Sequence, residues 1–442
     1  MIVNKLLPLG WCLSISSEIL DIRDGTHDTP KYVEKGFPLI TSKNLKDGKI
    51  DFEKISYITF EDHQEISKRS GVENGDVLFA MIGTIGNPVV INGDKKFSIK
   101  NVGLFKKNPL VINSNFLCFY LYSKNFERQL QERQLLKGTT QRFIPLGHLR
   151  NLFIPLAPLA EQLRIVAKIE ELFSELDKGI ETLKTAQQQL KVYRQAVLKY
   201  AFEGRLTNPE VKEGELPEGW EKSTFGKECD FSQGIQVDVG LQSESKGDTQ
   251  VRFLRIVDFT KGDEPPRYID HPGERYFLCK DEIAMVRYGT VGFVCTGKEG
   301  VIANNLFKIL PSVRMSNKYL IHFLQSDLFR SKLETKGATM QALSFGLIKP
   351  ISMPVPTIKE QMQIVQEIES RLSVCDKIEE SIEQGLQQAE ALRQSILKKA
   401  FEGKLVPQDP NDEPASVLLE RIKAERQSAQ PKKKLKTKKV KA

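Results

Sequence analysis

A long segment of this chain occurs in it twice. EQLRIVAKIEELFSELDKGIE begins at Glu161 and returns as EQMQIVQEIESRLSVCDKIEE from Glu360, which is 199 positions later. At the same shift RQAVLKYAFEGRL, from Arg194, becomes RQSILKKAFEGKL, from Arg393. Two copies of one segment are expected to adopt one structure, so the chain must build two related halves.

Both copies predict long helices, because neither contains proline or a cluster of turn-forming residues over about 40 positions. A helix of that length is ~60 Å long, which suits a spacer or a docking element. Apolar residues recur every seven positions and predict a coiled-coil seam. The seam positions are Leu176, Leu183, Leu190 and Val197 in the first copy and Cys375, Ile382, Ala389 and Ile396 in the second. Gly204 and Gly403 are predicted to end the two helices, since glycine tolerates the left-handed cap conformation.

Each long helix follows a block of about 150 residues whose short apolar runs are separated by Gly, Pro and Asn, a pattern typical of compact, largely β domains. The blocks share short motifs: LPLGW matches LPEGW, and MIGTIG matches RYGTVG. We therefore predict an α+β chain. Its parts are a first globular domain (1–157), a first helix (158–204), a second globular domain (205–356), a second helix (357–404) and a C-terminal segment (405–442).

Charge alone does not indicate a nucleic-acid partner. The formal net charge is +8, but seven lysines lie in the last twelve residues, PKKKLKTKKVKA, and the rest of the chain is almost neutral. We expect this tail to be a solvated, disordered end, with a nonspecific phosphate contact as the alternative. The six cysteines form no CxxC pair, and no apolar run is long enough to span a membrane. These features favour a cytoplasmic protein.

Motifs for catalysis are missing from the sequence. GFVCTGKE matches the spacing of a phosphate-binding loop up to Lys298, but Glu299 stands where Ser or Thr would ligate magnesium. No NPPY-like tetrapeptide and no S-adenosylmethionine motif is present, and the five histidines are isolated from one another. No spacing suggests a metal site or a nucleophile with its base. We therefore predict a chain that is not an enzyme and holds no metal.

Polar residues recur beside glycine where loops are expected, in DGTH from Asp24, TSKN from Thr41 and GTTQR from Gly138. Arg and Lys side chains pair with guanine, Asn and Gln pair with adenine, and Ser and Thr contact bases or phosphates. These segments can therefore be DNA-reading loops. They can equally be ordinary polar turns, and the sequence leaves both interpretations open.

Taken together, DGTHDTP, KGTTQ, the helix entry PLAPLAEQLRIV, the exits AFEGRL and AFEGKL, and LVPQDPNDEPASVLLERIKAER resemble the specificity subunit of type I restriction-modification systems. The resemblance covers nearly the whole chain. It implies two target-recognition domains, each reading one half of a split DNA sequence, joined by two antiparallel conserved helices that act as a ruler. The duplication would then be a pseudo-two-fold arrangement of mixed α/β, largely β domains.

The resemblance also implies partners. Two modification subunits would dock on the helices and methylate adenine N6 with S-adenosylmethionine, and two restriction subunits, which use ATP and magnesium, can join them. This chain itself would bind double-stranded DNA, no cofactor and no membrane. One alternative is a coiled-coil scaffold that reads no DNA. Another is a self-contained DNA-modifying enzyme, and the missing catalytic motifs weigh against it.

Residue by residue, the motif positions predict DNA contacts and leave Trp11 and Trp220 with a structural role. In the first globular domain the predicted contacts are Arg23, Thr26, His27, Lys43, Asn44, Thr84, Lys100, Asn101, Thr140, Gln141 and Arg142. The second domain has SQGIQ in place of DGTHD, and its predicted contacts are Gln233, Arg255, Arg287, Tyr288, Thr290, Asn304, Asn305, Thr339 and Gln341.

Overall fold

The computed structural model describes residues 7–262, 264–334 and 343–429, so the Lys-rich tail, Thr339 and Gln341 lie outside the described residues. The chain divides into two compact units. The first unit runs to Glu181 and resumes at Leu386, and the second unit comprises Thr182–Gly385. Each unit therefore holds one globular domain and one part of each long helix. The division into domains at residues 157, 204, 356 and 404 stays a prediction.

The helices carry the labels α1 to α13 in chain order. They are α1 Ser16–Ile19, α2 Phe60–Ser70, α3 Ser114–Tyr122, α4 Lys124–Glu132, α5 Leu146–Arg150, α6 Leu159–Phe202, α7 Phe225–Glu228, α8 Ile256–Thr260, α9 Asn317–Gln325, α10 Asp327–Glu334, α11 Phe345–Ile348, α12 Ile358–Ala400 and α13 Ala415–Ala429.

The strands are labelled in the same way. In the first domain they are β1 Cys12–Ile15, β2 Ile22–Asp24, β3 Tyr32–Val33, β4 Phe37–Thr41, β5 Leu45–Lys46, β6 Lys49–Ile50, β7 Ser56–Ile58, β8 Val77–Ala80, β9 Gly86–Val90, β10 Ser98–Lys100, β11 Val102–Phe105 and β12 Phe153–Leu156. In the second they are β13 Glu221–Thr224, β14 Cys229–Gln233, β15 Gln250–Leu254, β16 Arg267–Asp270, β17 Phe277–Leu278, β18 Ile283–Val286, β19 Val294–Cys295, β20 Gly300–Ile302, β21 Leu306–Pro311 and β22 Ser352–Val355.

The two long helices confirm the prediction from the repeat. α6 has 44 residues and α12 has 43. In the second unit Arg194 pairs with Asp376, while Leu183 lies against Gly385, so rising numbers on α6 meet falling numbers on α12 and the helices are antiparallel. Of the seam positions, Leu176 and Leu183 are half-buried, and Leu190, Val197, Cys375, Ile382, Ala389 and Ile396 are buried.

The glycines that follow the helices adopt the left-handed conformation that the sequence predicted. Their φ angles are +78° at Gly204 and +67° at Gly403. A Cβ at Gly204 would lie 2.2 Å from Pro217, and one at Gly403 would lie 2.4 Å from Pro8. The LPxGW motifs therefore pack directly against the helix exits, and any residue larger than glycine would separate them.

The globular domains are largely β, as predicted. One sheet has the same strand order in both domains, and the other shares three strands, but its fourth strand lies at opposite edges: β3 pairs with β7, whereas β17 pairs with β20. The first contains the sheets β2-β11-β8-β9 and β10-β4-β7-β3, and the second contains β14-β21-β18-β19 and β16-β15-β20-β17. In each domain one pair of strands is parallel, β4 with β10 and β15 with β20. A two-stranded antiparallel sheet, β1-β12 or β13-β22, joins the start of each domain to the strand that precedes its helix.

Buried polar residues attach the beginning of each long helix to its domain. The indole nitrogen of Trp11 donates to Glu161 at 3.0 Å, and that of Trp220 donates to Glu360 at 2.8 Å. Burial raises the pKa of Glu161 and outweighs the hydrogen bond from Trp11, which lowers it. One residue further on, Gln162 and Gln361 are fully buried and use their amides to bind backbone groups. Both tryptophans are thus held inside the fold.

Candidate nucleic-acid interface

The DGTH loop of the first domain lies against the end of β10. The amide of Thr26 donates to the carbonyl of Ile99 at 3.0 Å, and the amide of Asn101 donates to the carbonyl of Thr26 at 3.2 Å. A Cβ on Gly25 would lie 2.3 Å from the Ile99 oxygen, so glycine is required there. This close approach brings His27 beside Asn101, although the two residues are 74 positions apart.

A chain of hydrogen bonds holds these exposed groups. The ring nitrogens of His27 lie 2.9 Å from Asn101 Oδ1 and 2.9 Å from Asp24 Oδ2. The Asp24 carboxylate is buried and also pairs with Arg69. The His27 side chain remains more than half exposed, at 57%. The cluster therefore offers an oriented imidazole and an amide to the surface, anchored on a buried charge.

The second domain builds the same arrangement from different side chains. A Cβ on Gly234 would lie 2.1 Å from the carbonyl oxygen of Ala303, and the amide of Ile235 donates to Ile302 at 3.0 Å. Asn304 Nδ2 then donates to Oε1 of the exposed Gln236 at 3.1 Å. Asn304 is among the residues predicted from the sequence, whereas Gln236 is not, and Gln233 was predicted in its place. Aligning the glycine of SQGIQ with that of DGTH would have placed Gln236 at the position of His27.

Asn44 is buried and serves its own loop. Its Oδ1 accepts a hydrogen bond from the Thr41 amide at 3.0 Å, and its Nδ2 donates to the carbonyls of Asp51 and Lys54 at 3.2 Å each. A DNA contact by Asn44 would require this turn to open. The TSKN segment is a capped turn in which Thr41 and Asn44 bind each other, and the DNA contact by Asn44 stays a prediction.

Arg255 of the second domain stands in the equivalent turn. Asp258 accepts from the Arg255 amide at 2.8 Å and from its Nε at 3.0 Å, and Nη2 of Arg252 donates to the same carboxylate at 2.8 Å. Burial tends to raise the pKa of Asp258, but hydrogen bonds from both arginines outweigh it and lower the pKa. Arg255 is therefore partly buried and held within the domain.

A second group of predicted residues lies on two adjoining loops. In the first domain the amide of Gly83 donates to the carbonyl of Arg142 at 3.2 Å, and Ile144 binds Met81 at 2.9 Å. The residues that these loops expose are Thr84, Thr140, Gln141 and Arg142. In the second domain the Leu343 amide donates to Arg287 at 3.0 Å, and Tyr288 and Thr290 are exposed.

The remaining predicted residues are scattered. Nζ of Lys100 donates to Thr29 at 3.0 Å, close to the His27 cluster, and Arg23 pairs with Asp21 at 2.6 Å. Lys43 is exposed on its turn. Asn305 is half-buried, and its Oδ1 has no partner within the described chain. The structure thus brings together Thr26, His27, Lys100 and Asn101, and separately Thr84 with 140–142.

The chemistry of these surfaces is hydrogen bonding. Imidazole, amide and guanidinium groups match the donors and acceptors of base edges and phosphates. Within residues 7–262, 264–334 and 343–429, no three His, Cys, Asp or Glu side chains come together as metal ligands would. None of the described helices combines the length and the apolar character that a membrane span needs.

This chain is similar to known proteins both in sequence and in fold. The family described as "Type I restriction modification DNA specificity domain" matches this chain twice, over residues 17–191 and 217–388. Among curated relatives, the StySPI specificity subunit of Salmonella potsdam is 26% identical over 95% of this chain and 96% of its own length. The EcoKI specificity subunit of Escherichia coli is 25% identical over 97% and 98%.

Solved structures agree on the fold. A chain from a type I restriction-modification system has a TM-score of 0.72 at 21% identity and covers 91% of this chain and 100% of its own. The HsdS subunit of Thermoanaerobacter tengcongensis has a TM-score of 0.55 at 21% identity, covering 91% and 99%. The two matched segments each contain one globular domain and part of the long helix that follows it.

Proposed function

Because this chain belongs to the family of type I restriction-modification DNA specificity proteins, we propose that it reads a split DNA target for such a complex, one half through each globular domain. We favour this function over a coiled-coil scaffold, because only the long helices support a scaffold. The role places the protein in the cytoplasm with the DNA.

The recurring pair of exposed polar side chains supports this proposal most strongly. One backbone frame, set by Gly25 and Gly234, presents His27 with Asn101 in the first domain and Gln236 with Asn304 in the second. Side chains that differ on a common frame would read different bases at equivalent positions of the two half-sites. The loops with Thr84 and Arg142, and with Tyr288 and Thr290, would add further base and phosphate contacts.

The long helices would dock two copies of a modification subunit. Exposed apolar side chains recur at the repeat distance, Leu163 with Met362 and Tyr193 with Leu392, each with at least 46% of its surface exposed. Exposed apolar surface at equivalent positions fits two copies of one partner. The partners would supply the chemistry: S-adenosylmethionine would bind the modification subunits, ATP and magnesium would bind two restriction subunits, and this chain would hold no cofactor and catalyse no step.

Substitution of His27 and Gln236 tests the proposal in the complex assembled with the modification subunits. We expect His27→Ala to relax one half of the methylated sequence and Gln236→Ala to relax the other, each by about 1–3 kcal/mol of discrimination at one base pair. Sequencing of methylated adenines in host DNA measures the motif. The exposed Gln131 on α4 provides the control variant, Gln131→Ala, which should leave both halves intact.

Two outcomes would contradict this assignment. If both halves change with either variant, the domains do not read separate half-sites. If neither variant changes the motif, the His27 and Gln236 positions do not contact bases. The purified chain without partners should incorporate no methyl group from S-adenosylmethionine, and incorporation would show an activity of its own.

A further inference from the structure

Each globular domain has a cavity beside the strands of its parallel pair. The cavity of the first domain measures about 570 Å³ and is lined by Phe37, His63, Lys68 and Lys96 among others. The cavity of the second domain measures about 490 Å³, and its polar lining includes Lys246, Arg252, Lys280 and Lys298. Neither cavity includes His27, Gln236 or any other residue predicted to contact DNA.

Each cavity reaches the segment just before one strand of the parallel pair. Lys96 lies two residues before β10, which runs parallel to β4, and Lys298 lies two residues before β20, which runs parallel to β15. The globular domains differ in most of their sequence, yet each places a lysine and aromatic rings at this position. The rest of each lining differs, because α2 supplies His63 and Lys68 to the first cavity, whereas β16 and β17 supply Tyr268 and Phe277 to the second.

The second domain's cavity carries unbalanced positive charge. Lys246, Lys280 and Lys298 form no ion pair with any residue in the described part of the chain. Nη2 of Arg252 binds Asp258 at 2.8 Å, but Asp258 also pairs with Arg255, so one carboxylate serves two guanidinium groups. Nε of Arg252 is buried and has no acceptor among the described residues.

The shape of this cavity suits a small anion next to a flat or apolar group. The rings of Tyr268 and Phe277 line it together with the positive groups, and among the described residues of the lining only Glu299 is acidic. Glycine is required at position 300, where β20 approaches β15, since a Cβ there would lie 2.3 Å from the Arg252 carbonyl oxygen. Ammonium and guanidinium groups donate to phosphate oxygens, while the rings can pack against the adjoining sugar.

The first domain's cavity is less charged. Lys68 pairs with Glu65 at 2.6 Å, and burial, with the nearby charge of Lys96, lowers the pKa of His63. A lowered pKa keeps His63 neutral near pH 7. The cavity of the second domain is therefore the better candidate for a strong anion site.

We propose that the basic cavity formed by Lys246, Arg252, Lys280 and Lys298 binds a phosphodiester group of the DNA backbone. The inference rests on the proposed function and adds to it a contact that positions the DNA without reading its sequence. Lys298, which resembled the lysine of a nucleotide-binding loop, would then bind phosphate without any nucleotide chemistry. The base-reading loops would determine the sequence, and this cavity would determine where the backbone lies.

The double variant Lys280→Ala with Lys298→Ala tests the cavity in the assembled methyltransferase complex. The observed DNA association constant falls with salt, with a slope of about 0.9 per phosphate contact on a double logarithmic plot. We expect this slope to decrease by about 1 to 2 in the double variant, with weaker binding to target and non-target DNA alike. The methylated motif should stay unchanged. Lys222→Ala with Lys227→Ala, which removes two exposed lysines of the same domain outside the cavity, is the charge-matched control, and Lys298→Arg should keep the wild-type slope.

The results separate this inference from the proposed function. If the wild-type complex binds its target and the double variant retains the wild-type slope, the cavity does not contact the backbone and the inference is wrong. If the wild-type complex fails to bind DNA, the proposed function itself fails. If inorganic phosphate raises the melting temperature of the wild type but not of the double variant, while the DNA slope is unchanged, the cavity is a free-anion site and the DNA inference is overturned.

Discussion

The two halves of this chain are alike where the long helices attach to the globular domains, but they differ in the residues of the exposed loops. At the attachments the two units repeat one another contact by contact: Trp11 and Trp220 bind Glu161 and Glu360 through the indole nitrogen. Gln162 accepts from the Asn113 amide at 2.8 Å, and Gln361 accepts from the Ser316 amide at the same distance. Glu161 and both glutamines are buried and Glu360 is half-buried, so a change in one member of a pair would leave its partner without a hydrogen bond.

At the loops only the backbone is repeated. Gly25 and Gly234 allow the same close approach of two chain segments, but they present His27 in one domain and Gln236 in the other. The partners of these exposed side chains differ as well: His27 binds Asn101 and the buried Asp24, whereas Gln236 binds Asn304. The comparison teaches that packing holds the frame constant while the residues on it are free to differ, which is what two domains reading two sequences require.

The largest expected effect comes from the aromatic residue at each helix exit. Phe202 packs edge-to-face on Tyr319 and Phe323 in the second unit, and Phe401 packs on Phe116 and Tyr120 in the first, all with ring centroids 5.1–5.3 Å apart. We expect Phe202→Ala and Phe401→Ala each to lower the free energy of unfolding by about 3–5 kcal/mol. Urea titration of each variant measures this loss.

The chain supplies its own reporters for that experiment. It has two tryptophans, Trp11 in the first unit and Trp220 in the second, so Trp11→Phe and Trp220→Phe backgrounds follow one unit each. Phe60→Ala is the control, because that ring is 52% exposed. A large loss in one unit and a small loss in the other would break the equivalence of the two attachments.

A medium effect is expected where the two domains cap the same turn with different chemistry. The first domain uses the neutral Asn44, and the second uses Asp258 with Arg252 and Arg255. Asp258→Asn would remove charge-assisted hydrogen bonds worth about 1.5–3 kcal/mol at neutral pH. Circular dichroism during thermal unfolding, in the Trp11→Phe background with fluorescence of Trp220, measures the loss in the second unit.

The pH dependence of that loss follows from the pKa. Because the folded pKa of Asp258 is lowered, its ionised form stabilises the fold above the unfolded value of about 3.9, and this stabilisation is lost as the pH falls through the folded pKa. The difference between wild type and Asp258→Asn should therefore be full at pH 7 and shrink below about pH 4. A difference that stays constant well below pH 4 would show that ionisation of this carboxylate does not stabilise the fold.

The sequence predicted the helices well because their signals are local. The absence of proline, the seven-residue period and the terminal glycines all act within a few turns of the helix that they describe. The candidate site depended on contacts between distant segments. His27 contacts Asn101 only because the DGTH loop lies against the end of β10. The Asn44 amide group already donates hydrogen bonds to the carbonyls of Asp51 and Lys54. Local sequence patterns do not report such pairings, and Gln236 was missed because the glycines of DGTH and SQGIQ were not aligned.

The smallest expected effect lies between the long helices, where the two copies of one arginine differ slightly. Arg194 pairs with Asp376 at 2.7 Å and Glu379 at 2.9 Å, whereas Arg393 pairs with Asp177 and lies 4.8 Å over the ring of Phe173. Asp376 is 70% exposed and Asp177 is 63% exposed, so solvent screens both pairs. We expect Arg194→Met and Arg393→Met each to cost about 0.2–1 kcal/mol.

Salt separates the two arginines further. Salt weakens attraction between exposed charges, whereas the contact of the Arg393 guanidinium and its methylene groups with the Phe173 ring is screened less. The loss from Arg194→Met should therefore nearly vanish at about 1 M salt, while part of the loss from Arg393→Met should remain. Urea unfolding at low and high salt, followed by the tryptophan of the matching unit, measures both. Equal salt dependence would mean that the ring adds nothing and that the two copies are equivalent here as well.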